Sequence, residues 1–412
     1  MTKVYVLGVG MTPCGKFLQR SLKDLAREAV DAALVDCGLE KSDIQSAFFA
    51  NATQSPLEGQ YMIAGQVALR EMGFSGIPVV NVENACASGS AAMHLAWTTI
   101  RAGEADIALA VGAEKMFGLD KDKTFAVFNG AWDVHRVDEV IANLARLAPD
   151  VLPPPGRPTN SGERSVFMDI YASLARFHMK TFGSTERQMA AAAAKNHHHS
   201  VHNPLSQYRK DITTDEVLAA RMISWPLTLP MCAPISDGAA AVVLASEAGL
   251  KRVARNRAVE VLASVIASGS DRKPEELDKH VCRRAADRAY QVAGVAPHDI
   301  SVAEVHDASA FAEILQSELL RFGDFGEGGW MAEHGETAIG GRLPINPSGG
   351  LESKGHPIGA TGLTQIHELV TQLRHEAGPR QVEGARLALA ENGGGFQGYE
   401  EATASIHILG RC

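Results

Sequence analysis

The sequence is short of positive charge. Its 39 Lys and Arg stand against 48 Asp and Glu, a net charge of −9 at pH 7. It therefore lacks the basic face that non-specific nucleic-acid binding needs, although a local patch for phosphates remains open. Long hydrophobic runs are missing too. No stretch approaches the roughly 18 uncharged apolar residues of a membrane span. Met1 to Gly10 read as a buried strand ending in a glycine turn, without the charged leader, longer apolar run and cleavage site of a signal peptide. The last residues, Leu409-Gly410-Arg411-Cys412, are not the peroxisomal tripeptide Ser-Lys-Leu. Cysteine is scarce and scattered: Cys14, Cys37, Cys86, Cys232, Cys282 and Cys412, with no Cys-x-x-Cys pair. This excludes a disulfide framework and a zinc site of paired cysteines, and makes the cytoplasm the expected compartment. What is present is a globular composition, 45% hydrophobic and 21% charged over 412 residues. At about 150 residues per domain the chain has material for two or three cores.

Strand and helix alternate through the first third. Ser21 to Cys37 carries apolar residues at helical spacing and stops at Gly38. Ala47 to Ala50 reads as a strand, Gln60 to Met72 as a helix, and Pro78 to Val82 as a strand running into Cys86. Ser88 to Ala102 is a small-residue helix, followed by the strand Ala105 to Val111. Such alternation predicts a parallel or mixed sheet with helices on both faces. From Met116 to Met231 the pattern breaks, with Pro153-Pro154-Pro155 and the run Asn196-His197-His198-His199-Ser200-Val201-His202. A segment this long reads as a lid or substrate-binding subdomain. Ser236 to Ala245 returns to an apolar strand. Alternation restarts at Val259, with a helix over Pro274 to Val292 and the strand Val302 to Val305. The helix Ala310 to Phe322, a glycine-rich stretch, a strand–turn–helix over Leu343 to Arg374 and two final strands complete the chain. The expected domains are 1–115 with 232–255, an insertion 116–231, and 256–412. The outer two resemble each other: Cys86 precedes one small-residue helix and His356 another, so a duplication would bring equivalent helix N-termini to one site.

Four places carry candidate chemistry. Cys86, in Asn84-Ala85-Cys86-Ala87-Ser88, lies between a strand and a helix N-terminus, where partial positive charge lowers a thiol pKa. It is a nucleophile or a buried structural cysteine. His356, among Gly355, Pro357 and Gly359, is held at a turn where a ligand can approach. His306-Asp307 ends a strand, as catalytic groups in α/β proteins do, or is a capping Asp beside a satisfied His. Glu391-Asn392-Gly393-Gly394-Gly395 ends another; its glycines let a backbone N–H point into a site, or form an ordinary connection. The run His197, His198, His199 and His202 has metal-ligand spacing, yet no carboxylate or Cys lies within it. A solvated loop or a phosphate-facing patch is the expectation. Lys195, Arg209 and Lys210, also in the insertion, are further candidates to meet the phosphates of a ligand.

The order of these motifs resembles the thiolase superfamily over essentially the whole chain. The most specific block is Asn346-Pro347-Ser348-Gly349-Gly350 running into Gly355-His356-Pro357-Ile358-Gly359-Ala360-Thr361-Gly362, supported by Pro234-Ile235-Ser236-Asp237-Gly238. His306-Asp307 is similar to the sterol-carrier-protein/lipid-transfer type. The resemblance implies a layered α/β fold of two five-stranded halves, with an inserted loop domain holding coenzyme A, and a dimer or dimer of dimers. It implies no permanently bound cofactor and no metal, with CoA and acyl-CoA as substrates. Cys86 would accept the acyl group and His356 would activate it. His306 would help form an oxyanion site, and the N–H groups of Cys86 and Gly393 would hold the first oxyanion.

One departure bears on mechanism. Thiolases use a second cysteine, and the two positions where it is expected are Glu391 and Ala308. Glu391 would replace it as proton shuttle if burial raised its pKa, or would be a surface or strand-capping carboxylate. Thiolytic cleavage or formation of a 3-oxoacyl-CoA is the first expectation. A decarboxylative condensing enzyme using Cys86, His306 and His356 is the second. A carbon–carbon lyase working with a small OB-fold, zinc-ribbon partner is the third.

Overall fold

The computed structural model describes residues 2–160, 162, 164–253 and 257–412. The expected boundary between residues 255 and 256 lies outside them. Among the described residues eleven strands are formed: β1 (Val4–Met11), β2 (Ser46–Ala50), β3 (Val79–Val82), β4 (Ile107–Glu114), β5 (Met222–Ser224), β6 (Leu227–Thr228), β7 (Gly238–Ser246), β8 (Val259–Ser268), β9 (Val302–Glu304), β10 (Leu387–Gly394) and β11 (Thr403–Arg411). Nine of them make one mixed sheet in the order β3-β2-β4-β7-β1-β8-β11-β10-β9, and β5 and β6 form a separate hairpin. The halves meet at a narrow seam, Tyr5 opposite Glu260 and Val6 opposite Val259. The first half has five strands. The second has four, and its fifth position is reduced to a single bridge of Ile345 to Ala303.

Alanine, valine and leucine fill both faces of β1, β4 and β7, so these strands need cover on both sides. Helix Leu22–Cys37 covers one face of the first half. Ser21 caps it, accepting from Asp24 N–H, and Gly38 ends it at φ 70°. Helices Ser88–Arg101 and Thr361–Leu373 form a central layer whose core includes Met93, Ile100, Leu363, Ile366 and residues of both sheet halves. Helix Val281–Ala293 closes the far side through Ala285, Ala286 and Ala289.

Three expectations are corrected. Only Ala64–Glu71 of the Gln60–Met72 segment is helical; Ile63 has a left-handed φ of 54°, and Tyr61 and Met62 are exposed, so no core rewards a longer helix there. The helix expected from Pro274 begins at Val281, where the His280 ring accepts from Cys282 N–H. The histidine run is not a loop: Asn196 to Ser200 form the last turn of helix Glu186–Ser200, and His202 follows it. His197 and His199 are buried, His199 between Asn346 O at 3.0 Å and the N–H of Ile339 at 3.1 Å, while His198 and His202 are exposed. Lys195 is committed as well, its Nζ 2.9 Å from Glu313.

Candidate active site

Cys86 lies on a sharp turn. Ala85 adopts φ 48°, a conformation that costs a non-glycine residue free energy and has to be held by its surroundings. Ser88 Oγ provides that hold, donating to Ala85 O at 2.6 Å and accepting from Asn84 N–H at 2.8 Å. Ala85 N–H also donates to Glu83 Oε1 at 2.6 Å. The turn thus presents the cysteine immediately before helix Ser88–Arg101. Contrary to the expectation from the helix N-terminus, the thiol pKa is raised, to about 12, by burial and by the Glu114 carboxylate. Desolvation outweighs the helix end, and the resting group is a neutral thiol.

His356 is fixed from two sides. Its N–H donates to Ser236 Oγ at 2.9 Å, and its Nδ1 lies 2.8 Å from Thr361 Oγ1. Thr361 spends its own hydrogen on Pro357 O at 3.0 Å, so it must accept from Nδ1–H. That leaves the lone pair on Nε2 as the free base. Burial, with His306 and Lys354 nearby, keeps the imidazole neutral, far below its ordinary pKa. His306, whose ring is 5.2 Å from that of His356 at 66°, has no hydrogen-bond partner on either nitrogen, and burial lowers it to about 4.

These three residues come together as the sequence implied. Cys86 Sγ and one nitrogen of each imidazole lie within 4.8 Å of one another. The trio is also a possible donor set for a soft divalent ion. An ion there would consume the thiol and both bases that acyl transfer requires. The trio opens on a cavity of about 1840 Å³, above the usual several hundred to about a thousand Å³ of small-molecule sites. Lys16, Lys121, Arg164, Lys210 and Arg221 are among the residues that line it.

Glu391 is not brought to this cavity. It is fully buried in β10, and its Oε2 accepts from the backbone N–H of His306 at 2.9 Å. Its Oε1 lies 3.6 Å from Cys282 Sγ, in a compartment shared with Glu401 and His280. Burial and Glu401 raise its pKa to about 8. The condition for a shuttle is met in pKa and missed in direction, and the surface reading is excluded. Gly393 is within the ladder opposite Ala404, while Gly394 and Gly395 reach the cavity wall.

Glu114 is a site residue that no motif announced. Buried at the end of β4, it accepts from Asn51 Nδ2 (2.7 Å), Ala52 N (3.1 Å), Thr53 N (3.0 Å), Thr53 Oγ1 (2.6 Å) and Gly359 N (2.8 Å). It therefore ties the first half to the loop that carries His356. Asp237 does similar work for the insertion's first residues, accepting from Met116 and Phe117 N–H at 2.7 Å each. Only its place in the Ser236-Asp237-Gly238 motif hinted at this.

Two sheet halves whose central helices begin at a shared cavity with a thiol and two neutral imidazoles define an enzyme of acyl transfer. Residues 4–219 match the thiolase N-terminal domain and residues 265–411 the thiolase C-terminal domain-like family. The chain belongs to the thiolase family, and it is a CoA-dependent acyltransferase of thiolase type. It is 36% identical to an acetyl-CoA acetyltransferase of Methanothermobacter thermautotrophicus over the whole of both chains. It is 38% identical to sterol carrier protein 2 of Bos taurus, over 95% of this chain and 70% of the other. It is 32% identical to a benzoylsuccinyl-CoA thiolase subunit of Thauera aromatica, over 95% of each. Among solved structures the fold is similar to an Ltp2-ChsH2(DUF35) aldolase, TM-score 0.77 at 23% identity, covering 99% of this chain and 98% of that one. Human mitochondrial 3-ketoacyl-CoA thiolase gives 0.67 at 18% identity, covering 100% and 99%.

Proposed function

We propose that Cys86 is the residue that carries the acyl group. His356 Nε2 takes the thiol proton as Sγ attacks the 3-oxo carbon of a 3-oxoacyl-CoA. The bond between C2 and C3 breaks, the departing acetyl-CoA enolate takes up a proton, and the acyl group stays on sulfur. Free CoA then attacks the acyl-Cys86 thioester, and the cysteine thiol is restored. The N–H of Cys86 is an oxyanion donor for the acyl-enzyme, with the Gly394-Gly395 turn beside it on the cavity wall, and His306 serves the second oxyanion. With Ala308 and the inward-turned Glu391 at the two expected positions, the imidazoles are the acid/base groups within reach of the sulfur. The observation that carries this reading is the 4.8 Å grouping of Sγ with both imidazoles at the cavity floor.

The cavity's cations are suited to the phosphates of CoA, with the insertion 116–231 as the CoA-holding unit between halves 1–115 plus 232–255 and 256–412. The second copy of a homodimer would pair at β3, an edge strand whose outer side is unpartnered here. The DUF35 partner named for one structural relative makes a small partner in trans a companion proposal. The thiols of Cys14, Cys37, Cys86, Cys232 and Cys282, none of them in a disulfide, suit a reducing, cytoplasmic setting. Among the described residues no helix is long and apolar enough to cross a membrane. Single-turnover incubation with an acyl-CoA, followed by intact-mass and peptide analysis, should place one acyl group on Cys86. A Cys86→Ala variant that still labels and turns over like the parent would overturn the assignment.

A further inference from the structure

One polar group in the cavity wall has no part in that chemistry. Glu352 lies in the turn Gly350–Lys354 that leads into His356. It is 1% exposed, yet it lines the cavity together with Cys232 and Ala308. Ala233 N–H donates to Ala308 O at 3.1 Å and Cys232 bridges Ser309, so these residues form one stretch of wall continuing from His306.

Behind Glu352 is a crowded set of acids. Asn196 Nδ2 faces Glu352 Oε2 at 3.2 Å, Asp307 Oδ2 at 3.1 Å and Glu313 Oε2 at 2.8 Å. The neighbouring ammonium, Lys195, is 2.9 Å from Glu313. Lys354 is turned to Glu304 at 3.4 Å instead. Three buried carboxyls around one cation cannot all be charged. Burial and mutual repulsion push Asp307 and Glu352 well above the carboxylate range. Glu352 is then a carboxylic acid. Its Oε2 accepts from Asn196, so its hydrogen belongs on Oε1, and Oε1 is buried without a hydrogen-bond partner. A buried donor with nothing to receive it is costly, and an acceptor supplied by a ligand would relieve it.

We propose that Glu352 donates a hydrogen bond to an oxygen on the acyl group, and that the substrates are 3-oxoacyl-CoA thioesters carrying a further uncharged ketone, ester or hydroxyl. An uncharged oxygen fits because a carboxylate would be buried beside Glu313, whose cation, Lys195, is already used. This inference rests on the thiolase reading of the cavity.

The test uses the full chain and a panel of 3-oxoacyl-CoA thioesters with one added ketone at successive positions, each compared with the plain chain of equal length. One position should be favoured in kcat/KM by about tenfold to a hundredfold. Glu352→Leu should bring that ratio to about one, and Glu352→Gln, whose amide still donates, should keep most of it. Equal ratios in the parent, retention of the preference by Glu352→Leu, or preference for a terminal carboxylate would each overturn the proposal. If Glu352→Leu does not fold, Glu352→Met replaces it, and the parent's own ratio remains decisive. Binding of non-reactive CoA thioethers bearing the same groups, measured by calorimetry, separates the two readings. Discrimination without acylation of Cys86 would remove the transferase chemistry and leave Glu352's role; acylation without discrimination would do the reverse.

Discussion

Glu391 holds its proton for a reason unconnected with the cysteine it was expected to serve. Alternation along β10 puts its side chain on the same face as Leu389, toward helix Val281–Ala293, where Cys282 and Glu401 wait. Its work is to receive the His306 N–H and so set where that imidazole stands. The proton has a thermodynamic signature. In the folded chain the carboxyl titrates at about 8, against about 4.3 when unfolded. Between these values the folded state keeps a proton that the unfolded state has lost, so stability falls as pH rises across that window and levels off above it. Glu391→Gln, which retains an acceptor for His306, should flatten the decline of Tm between about pH 5 and pH 8 relative to the parent. Parallel Tm profiles would contradict this. At this scale the sequence disclosed which residues matter better than how they behave. Cys86 and His356 were legible because turn, glycine and helix start surround them. The neutrality of Cys86, the Thr361 contact that selects the His356 tautomer and the orientation of Glu391 depend on neighbours remote in sequence.

The elements that bring Cys86 to His356 are two helices held at backbone contact. A Cβ on Gly362 would lie 2.0 Å from Ser90 Oγ and 2.6 Å from Ser90 N, and one on Gly112 would lie 2.5 Å from Gly359 O. No side chain fits there, so Gly362 sets the separation of the two helices, and Gly112 on β4 sets the approach of the Gly359 turn that leads into the second. Gly362→Ala should therefore lose about 1–3 kcal/mol of stability, the usual cost of overpacking a core. It should also slow acylation of Cys86 at temperatures where the variant remains folded. A chemical-denaturation midpoint and acylation rate both equal to the parent's would refute the contact. Element boundaries with their own chemistry were readable, as with Ser21 and Gly38 around Leu22–Cys37. Those decided by tertiary burial were not. Tyr61 and Met62 have helical spacing without a core to meet, whereas His197 and His199, polar by composition, are buried as hydrogen-bonding struts.

On the scale of the whole molecule, β3 leaves one side of the sheet unfinished. Val80 is 43% exposed on that edge, and Tyr61, Met62 and Ile63, at 74%, 77% and 57%, are exposed in the adjoining segment. An open strand edge with apolar neighbours is an invitation to pairing, and proteins blunt such edges when they act alone. The chain should therefore sediment as a dimer or a multiple of it. Val80→Lys combined with Met62→Asp should shift it toward monomer in equilibrium sedimentation. A parent that is monomeric at micromolar concentration would exclude this interface.

The first half of the sheet also closes in an unusual order. Its last strand in sequence, β7, lies between β1 and β4 and antiparallel to both, and Thr12 and Ala239 are joined by hydrogen bonds across 227 positions. A ribosome adding about 5–20 residues per second needs roughly 10–45 s to travel that distance. From the completion of β4 at Glu114 until β7 begins at Gly238, roughly the last 6–25 s of that interval, β1 and β4 face each other across an empty lane, with both inner edges ready to accept any passing strand. Early completion of the insertion does nothing to fill it. The nascent chain is thus most exposed to mispairing and to chaperone capture before residue 246 has left the exit tunnel, and slow codons within the insertion would prolong that window.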